Sequence, residues 1–180
     1  MSRRDFLAGC IAALLAPVTA PTSASAAMTP TKLDGAAHSL QVQLDTSALK
    51  YIVDEPSLGR TPLWFILDSG CDICLNAFSD LRTHAAIHDR TLSSFELRFV
   101  PVGDTPDSAA AAARAFAANS MEGFFVQSWS VPVTSLAMHA QHENTLATRS
   151  LPGYPAFVIE DKTVKLGYGG WADFAEWLAL

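Results

Sequence analysis

Cysteine is scarce in this chain, and its scarcity excludes several classes of protein. The 180 residues include three cysteines, Cys10, Cys71 and Cys74. A structural zinc site needs four ligands, and no second cysteine pair exists to join Cys71 and Cys74. One pair is also better suited to catalysis than to stapling a core.

Basic residues and long apolar runs are scarce as well. Lys and Arg number 12 against 18 Asp and Glu, which gives a formal charge of −6. A chain this acidic is a poor binder of nucleic acid. After the N-terminal region no apolar stretch is long enough to span a membrane. We therefore expect no nucleic-acid partner and a protein that is not membrane-embedded.

The N-terminus has the pattern of an export signal. Arg3 and Arg4 precede the apolar run Phe6 to Leu15, and the small residues Ala24-Ser25-Ala26 suit a signal peptidase. The arginine pair resembles the twin-arginine signals of bacteria, although the Sec route stays open. We expect residues 1–26 to be removed by cleavage near Ala26, which places the mature protein in the periplasm.

Cys10 belongs to this leader and would leave with it. Leu7-Ala8-Gly9-Cys10 looks like a lipoprotein box, which would anchor the chain through Cys10. Such a box ends the apolar region, whereas most of this apolar run follows Cys10. We therefore expect cleavage rather than lipid anchoring.

About 154 residues remain after cleavage, enough for one domain with a substantial core. Residues 27–62 form an N-terminal extension with two short predicted strands, Ser39–Leu44 and Leu49–Val53. Residues 63–180 form the main predicted domain. Its patterns predict four strands, at 63–67, 95–102, 154–159 and 163–168, with a turn at 160–162 that joins the last two. They also predict four helices, at 75–87, about 107–119, 133–149 and 171–180.

The two middle helices make up a predicted helical insertion at about 104–150. Asp107 and Ser108 are candidates to cap its first helix, because a side-chain oxygen there accepts hydrogen bonds from free N–H groups. Phe124, Phe125 and Trp129 lie between its helices. We expect these rings to pack on the core, with a ligand groove as the alternative.

Cys71-Asp72-Ile73-Cys74 stands between the first buried strand and the helix that follows it, and this spacing indicates redox chemistry. Cys71 at a helix N-terminus would face free backbone N–H groups and the positive end of the helix dipole, which stabilise a thiolate. Cys74 lies one helical turn on, from where its thiol can reach a mixed disulfide. We therefore predict that Cys71 is the nucleophile and Cys74 the resolving thiol.

The cysteine pair has two alternative uses, and the first is a metal site that includes histidines. His84 with His88, and His139 with His142, have spacings that could share a helix face and supply metal donors. A purely structural disulfide is the second alternative, but it would close a loop of only two residues and constrain the unfolded chain little. We predict no metal site.

The arrangement resembles the thioredoxin fold and, within it, the catalytic domains of the periplasmic disulfide isomerase family, DsbC and DsbG. The matching stretches are Phe65 to Cys74, with Asp68 three residues before the first cysteine, and Gly153 to Val158 with the later Gly167-Tyr168. The resemblance implies an α/β, thioredoxin-like fold with a central mixed sheet flanked by helices. It also implies that Pro155 is cis and lies against the cysteine sulfurs, while Tyr154 presents its backbone to an extended substrate.

Two features depart from that family. Its isomerases carry an N-terminal dimerisation domain, for which residues 27–62 are too short. The oxidase, reductase and isomerase directions therefore all stay open, as does a monomer or a small homo-oligomer. The second departure is Asp72, whose negative charge beside Cys71 opposes the thiolate and favours a more reducing couple. We expect Asp68 and Asp72 to modulate thiolate formation.

These observations predict a periplasmic thiol:disulfide oxidoreductase that exchanges disulfides with exported proteins and with a membrane or periplasmic redox partner. Its only cofactor would be the redox-active disulfide Cys71–Cys74. A peroxide or methionine sulfoxide reductase of the same fold would need a further reactive group, which no other cysteine of the mature chain supplies. A non-enzymatic alternative is a copper chaperone that binds Cu(I) through the same two thiols.

Overall fold

The computed structural model describes residues 39–40, 44–54, 56, 58–126, 130–159 and 164–179, the first pair by its backbone only. The predicted signal peptide, most of the chain before residue 44, Trp129 and the turn at 160–162 lie outside these residues. Within the described part, no helix combines the length and the apolar character needed to cross a membrane.

A five-stranded mixed sheet forms the centre of the described structure. Its strands are β1 (Ser39–Leu40), β2 (Thr61–Asp68), β3 (Phe95–Val102), β4 (Ala156–Ile159) and β5 (Val164–Leu166), in the spatial order β1-β5-β4-β2-β3. β2 and β3 run parallel, and the other pairs are antiparallel. The predicted mixed α/β architecture is confirmed.

Four α-helices connect and cover these strands. They are α1 (Asp72–Ala86), α2 (Pro106–Ala118), α3 (Ser135–Ala147) and α4 (Trp171–Leu178). α1 forms the crossover between the parallel strands β2 and β3, which cannot be joined by a tight turn. α2 and α3 follow β3, pack against each other and lead to β4.

The pleat of the sheet divides the core into two clusters. One cluster, which we call the aromatic face, joins the sheet to α1, α4 and part of α2, and its sheet residues include Leu63, Phe65, Leu67, Phe99 and Phe157. The other, which we call the α3 face, has Ala147 of α3 packed against it, and its sheet residues include Trp64, Ile66, Val100, Ala156 and Val158. β2 is buried on both sides, as a continuous apolar run predicts.

Leu49–Val53 does not form the predicted strand. The residues just before it, Thr46–Ala48, fold into a short 3-10 helix, because the side chain of Asp45 accepts a hydrogen bond from the N–H of Ser47 and so favours a turn. In the stretch that follows, the one residue with a β-bridge is Ile52, which pairs with Phe99 of β3.

The predicted cap of α2 is also wrong. The N-cap is Thr105, whose side chain accepts from the N–H of Ser108, while the Ser108 hydroxyl accepts from the N–H of Thr105. Pro106 fits the first helical position because its fixed φ suits a helix and its missing N–H is not needed there. Asp107 is therefore a first-turn residue, and Ser108 is the partner of the cap.

Candidate active site

Cys71 ends the turn after β2 and caps the N-terminus of α1. Its backbone is extended, with φ −106° and ψ 110°, and its Sγ accepts a hydrogen bond from the N–H of Cys74 at 3.1 Å. Its carbonyl accepts from the N–H of Leu75 at 3.1 Å and so begins the helix. The sulfur takes the place of a capping oxygen, where a free N–H and the helix dipole favour negative charge.

Cys74 lies behind Cys71 in the core of the aromatic face and is 0% exposed. Burial raises the pKa of its thiol, and the hydrogen bond with Cys71 and the negative charge of Asp68 act in the same direction, whereas a hydrogen bond with the backbone of Asp68 acts against them. Both cysteines are free thiols, and Cys71 is partly exposed. An external disulfide can therefore reach Cys71 but not Cys74, which is consistent with the predicted roles.

The peptide bond between Tyr154 and Pro155 is cis and lies beside the cysteines. The carbonyl oxygen of Tyr154 lies 3.6 Å from Sγ of Cys71 and accepts a hydrogen bond from its thiol. The Tyr154 ring turns the other way, and its hydroxyl lies 3.2 Å from the hydroxyl of Thr148 at the end of α3. Burial raises the pKa of this phenol, and the bond with Thr148 partly offsets the rise. The backbone carbonyl of Tyr154 thus faces Cys71, and its ring hydroxyl bonds to Thr148.

The two acidic residues predicted to modulate the cysteines lie in different surroundings. Asp68 is 8% exposed, and its carboxylate accepts hydrogen bonds from the N–H of Gly70 at 2.6 Å and of Asp104 at 3.2 Å. Asp72 is exposed in the first turn of α1, and within the described part of the chain its side chain makes no hydrogen bond. Asp68 therefore contacts the cysteine turn, whereas Asp72 faces solvent.

Residues of the helical insertion support this site although sequence reasoning did not single them out. Gln141 and Thr145 of α3 hydrogen-bond the backbone of Gly103, which precedes Asp104. Asn144 is 0% exposed and bonds the backbone of distant segments. The i, i+4 spacing of polar residues along α3 is the one sequence signal that could have indicated an inward polar stripe.

The histidines that could have joined a metal site lie away from the cysteines. His84 is in the last turn of α1, about 20 Å along the helix from Cys71 at 1.5 Å per residue. Its ring stacks on Trp171 at 3.6 Å, and its Nδ1 lies 3.0 Å from a carboxylate oxygen of Asp89. His139 pairs with Glu143 on α3. The described residues contain no cluster of three or more His, Cys, Asp or Glu arranged to hold a metal.

Two concave surfaces adjoin the cysteine helix and the proline loop. A pocket of about 350 Å³ opens beside Tyr154, between Asp104 and Arg149. A groove of about 1100 Å³ runs along α1 and includes Leu75, Phe78 and Phe125 among its walls. Phe124 is 1% exposed in the core, and Phe125 packs against the same cluster, as expected. Phe125 also lines the groove, so the ligand-groove alternative stays open for that ring.

No family model and no curated protein sequence matches this chain, but solved structures do. The catalytic domain of Proteus mirabilis ScsC is 16% identical, with a TM-score of 0.55 over 76% of this chain and 92% of that domain. A periplasmic thioredoxin-like protein from Salmonella enterica serovar Typhimurium is 15% identical, with a TM-score of 0.53 over 76% and 93%. The thiol-disulfide exchange protein alpha-DsbA2 from Wolbachia pipientis is 16% identical, with a TM-score of 0.51 over 75% and 87%. At these identities the likeness concerns the fold, and the fold of this chain is thioredoxin-like.

Proposed function

We propose that this protein is a periplasmic thiol:disulfide oxidoreductase that acts on exported proteins with cysteines. The observation that carries the proposal is the surroundings of Cys71. Its partly exposed sulfur caps α1, the Tyr154 carbonyl lies beside it and the buried Cys74 lies behind it. A nucleophile, a resolving thiol and a backbone acceptor for an extended substrate thus meet at one helix terminus.

The two thiols can carry out a balanced exchange. The Cys71 thiolate attacks one sulfur of a substrate disulfide, the substrate S–S bond breaks, and its other sulfur leaves as a thiolate that takes up a proton. Cys74 then loses its proton and attacks the Cys71 sulfur, which forms the Cys71–Cys74 disulfide and releases the second substrate thiolate. The substrate gains two electrons and two protons, and a membrane or periplasmic partner restores the dithiol.

We infer that electrons flow from this protein to its substrates, as in a reductase. Burial and the carboxylate of Asp68 disfavour a thiolate at Cys74, and the exposed Asp72 adds negative charge beside Cys71. A destabilised thiolate at Cys74 favours the disulfide form and lowers the reduction potential. We expect a potential nearer to the value of about −270 mV for thioredoxin than to about −120 mV for DsbA.

Insulin reduction, combined with titration against glutathione buffers, tests this proposal. We expect the protein to accelerate insulin reduction and Cys71→Ser to abolish that acceleration. Asn76→Ser is the control, because it introduces the same residue at an exposed position of α1 and leaves the pair intact. Stoichiometric Cu(I) binding through both thiols, without insulin reduction or disulfide exchange, would support the copper chaperone and contradict the proposal.

A further inference from the structure

Asp68 ends β2 with a buried carboxylate that has no basic partner among the described residues. A buried carboxylate is costly unless hydrogen bonds or opposite charges compensate it. Here the compensation comes from two backbone groups, since one oxygen accepts from the N–H of Gly70 and the other from the N–H of Asp104. The backbone carbonyl of Asp68 also accepts from the N–H of Cys71 at 3.2 Å. One residue therefore connects the cysteine turn with the loop after β3.

The loop after β3 is fixed in turn by the helical insertion. The N–H of Gly103 donates to the hydroxyl of Thr145 at 3.3 Å, and its carbonyl accepts from the side chain of Gln141 at 3.4 Å. A Cβ on Gly103 would lie 2.2 Å from the backbone nitrogen of Ala109, so the first turn of α2 packs directly on this residue. The position of the neighbouring Asp104 N–H is therefore set by α2 and α3.

We propose that Asp68 is a positioning residue for disulfide exchange, whose carboxylate ties the turn that carries Cys71 to the helical insertion through the N–H groups of Gly70 and Asp104. This inference rests on the proposed function and deepens it, because it gives the insertion a role in holding the nucleophile at the helix terminus. A carboxylate suits this position because it accepts hydrogen bonds from both N–H groups, and a charged acceptor binds them more strongly than a neutral one would.

The carboxylate also acts on the cysteine pair through its charge. The titratable groups around Cys74 are Cys71 at the start of α1, Asp68 at the end of β2 and Tyr154 before β4. Asp104 contributes further negative charge near Tyr154. Replacing Asp68 with asparagine would remove the buried charge and keep the size of the side chain. A change in reactivity in that variant would therefore come from the charge and not from the volume of the side chain.

The test uses the reduced protein and an aromatic disulfide, dithiobis(nitrobenzoate). Attack by Cys71 releases one thionitrobenzoate and leaves a mixed disulfide, and attack by Cys74 on Cys71 releases the second. Stopped-flow absorbance records both releases as a function of pH. The variants are Asp68→Asn and Asp68→Ala, with Asp107→Asn as the matched control, because Asp107 is an exposed carboxylate in the first turn of α2.

We expect the pH midpoint of the second release to fall by about one unit in Asp68→Asn, because a negative charge near Cys74 is lost. Asp68→Ala should show the same fall. Its first release should also slow about tenfold, since neither N–H group keeps its acceptor and the cysteine turn loosens. Asp107→Asn should behave as the wild type in both steps.

Thr145→Val provides a second variant that leaves the carboxylate in place. It removes the hydroxyl that accepts from the N–H of Gly103, so we expect a slower first release without a change in the pH midpoint. A folded Asp68→Ala protein whose first release is as fast as that of Asp107→Asn would overturn the inference. If the Asp68 variants do not fold, an unchanged first release in Thr145→Val overturns it. A wild type that never releases the second thionitrobenzoate would contradict the proposed function itself.

Discussion

The two faces of the sheet are built from different chemistry. On the aromatic face, Phe65, Phe99, Phe157 and Phe174 pack with ring centroids 4.6 to 6.0 Å apart. On the α3 face, one aromatic residue, Trp64, packs with aliphatic residues of the sheet. Helix α3 and its cap add buried polar side chains on this side, Gln141, Asn144 and Thr148. Apolar contacts are non-directional, whereas hydrogen bonds fix positions and angles. The aromatic face therefore supplies stability, and the α3 face holds the loops around Cys71.

The largest effect on stability should come from the aromatic face. Phe157 is 0% exposed and contacts four other aromatic rings. We expect Phe157→Ala to lower the free energy of unfolding by about 3 to 5 kcal/mol, because it removes buried apolar surface and leaves a cavity. Urea denaturation measures this loss, and Phe157→Leu, the matched control, should lose less. A loss below about 1 kcal/mol would contradict the dominant role of this face.

Asn144 should affect both stability and exchange. Its side chain bonds the backbone N–H and C=O of Lys50 and the carbonyl of Pro101. We expect Asn144→Ala to cost about 2 to 3 kcal/mol, since buried polar groups lose their partner, and to slow thiol exchange because the end of β3 loosens. His142→Ala, at an exposed position of α3, is the control. An Asn144→Ala protein with full exchange activity would contradict the claim that the α3 face holds the loops around Cys71.

Stability should depend on pH through Cys74. Burial raises the pKa of this thiol above the ordinary value of 9.0, so the folded protein keeps a proton that the unfolded chain loses at alkaline pH. The stabilising contribution is therefore complete below pH 9.0 and declines above it, by up to about 1.4 kcal/mol per pH unit. Urea denaturation of the reduced protein across this range should show a steeper decline for the wild type than for Cys74→Ser. If the free energy of unfolding declines equally with pH in both proteins, the titration of Cys74 does not cause the alkaline loss of stability.

Thr148 should give the smallest change. We expect Thr148→Val to cost about 1 kcal/mol, because the hydroxyl bonds to Tyr154 and to the carbonyl of Asn144 are lost. The pKa of Tyr154 should rise further, since the hydroxyl of Thr148 lowers it in the wild type. Ultraviolet titration of the phenol measures this shift, with Thr148→Ser as the variant that keeps the hydroxyl. A pKa that falls in Thr148→Val would contradict this interpretation of the contact.

Local signals predicted most elements of the fold. The alternation and flanking turns gave β3 its observed bounds, Phe95–Val102, and the run at 63–67 predicted a strand buried on both faces. These patterns depend on neighbours in sequence, as does a cysteine at a helix start. The strand predicted at 49–53 was wrong because strand pairing depends on a distant partner, and in this stretch Ile52 alone pairs with β3.

The supports of the candidate site were harder to predict because they join distant parts of the chain. The carboxylate of Asp68 meets the N–H of Asp104, 36 residues away, and Asn144 meets Lys50, 94 residues away. No periodicity encodes which backbone group a polar side chain will meet, since that depends on how the elements pack. The sequence therefore marked Asp68 as a neighbour of Cys71 but not as a link to the helical insertion.

Trapping mixed disulfides tests most directly whether Cys71 is the nucleophile and Cys74 the resolving thiol. Cys71→Ser and Cys74→Ser proteins are incubated with oxidised glutathione and analysed by mass spectrometry. We predict a lasting glutathione adduct on Cys71 in Cys74→Ser, because no thiol remains to resolve it, and no adduct in Cys71→Ser, because Cys74 is buried. An adduct on Cys74 in Cys71→Ser, with none in Cys74→Ser, would reverse the two roles and contradict the proposed mechanism.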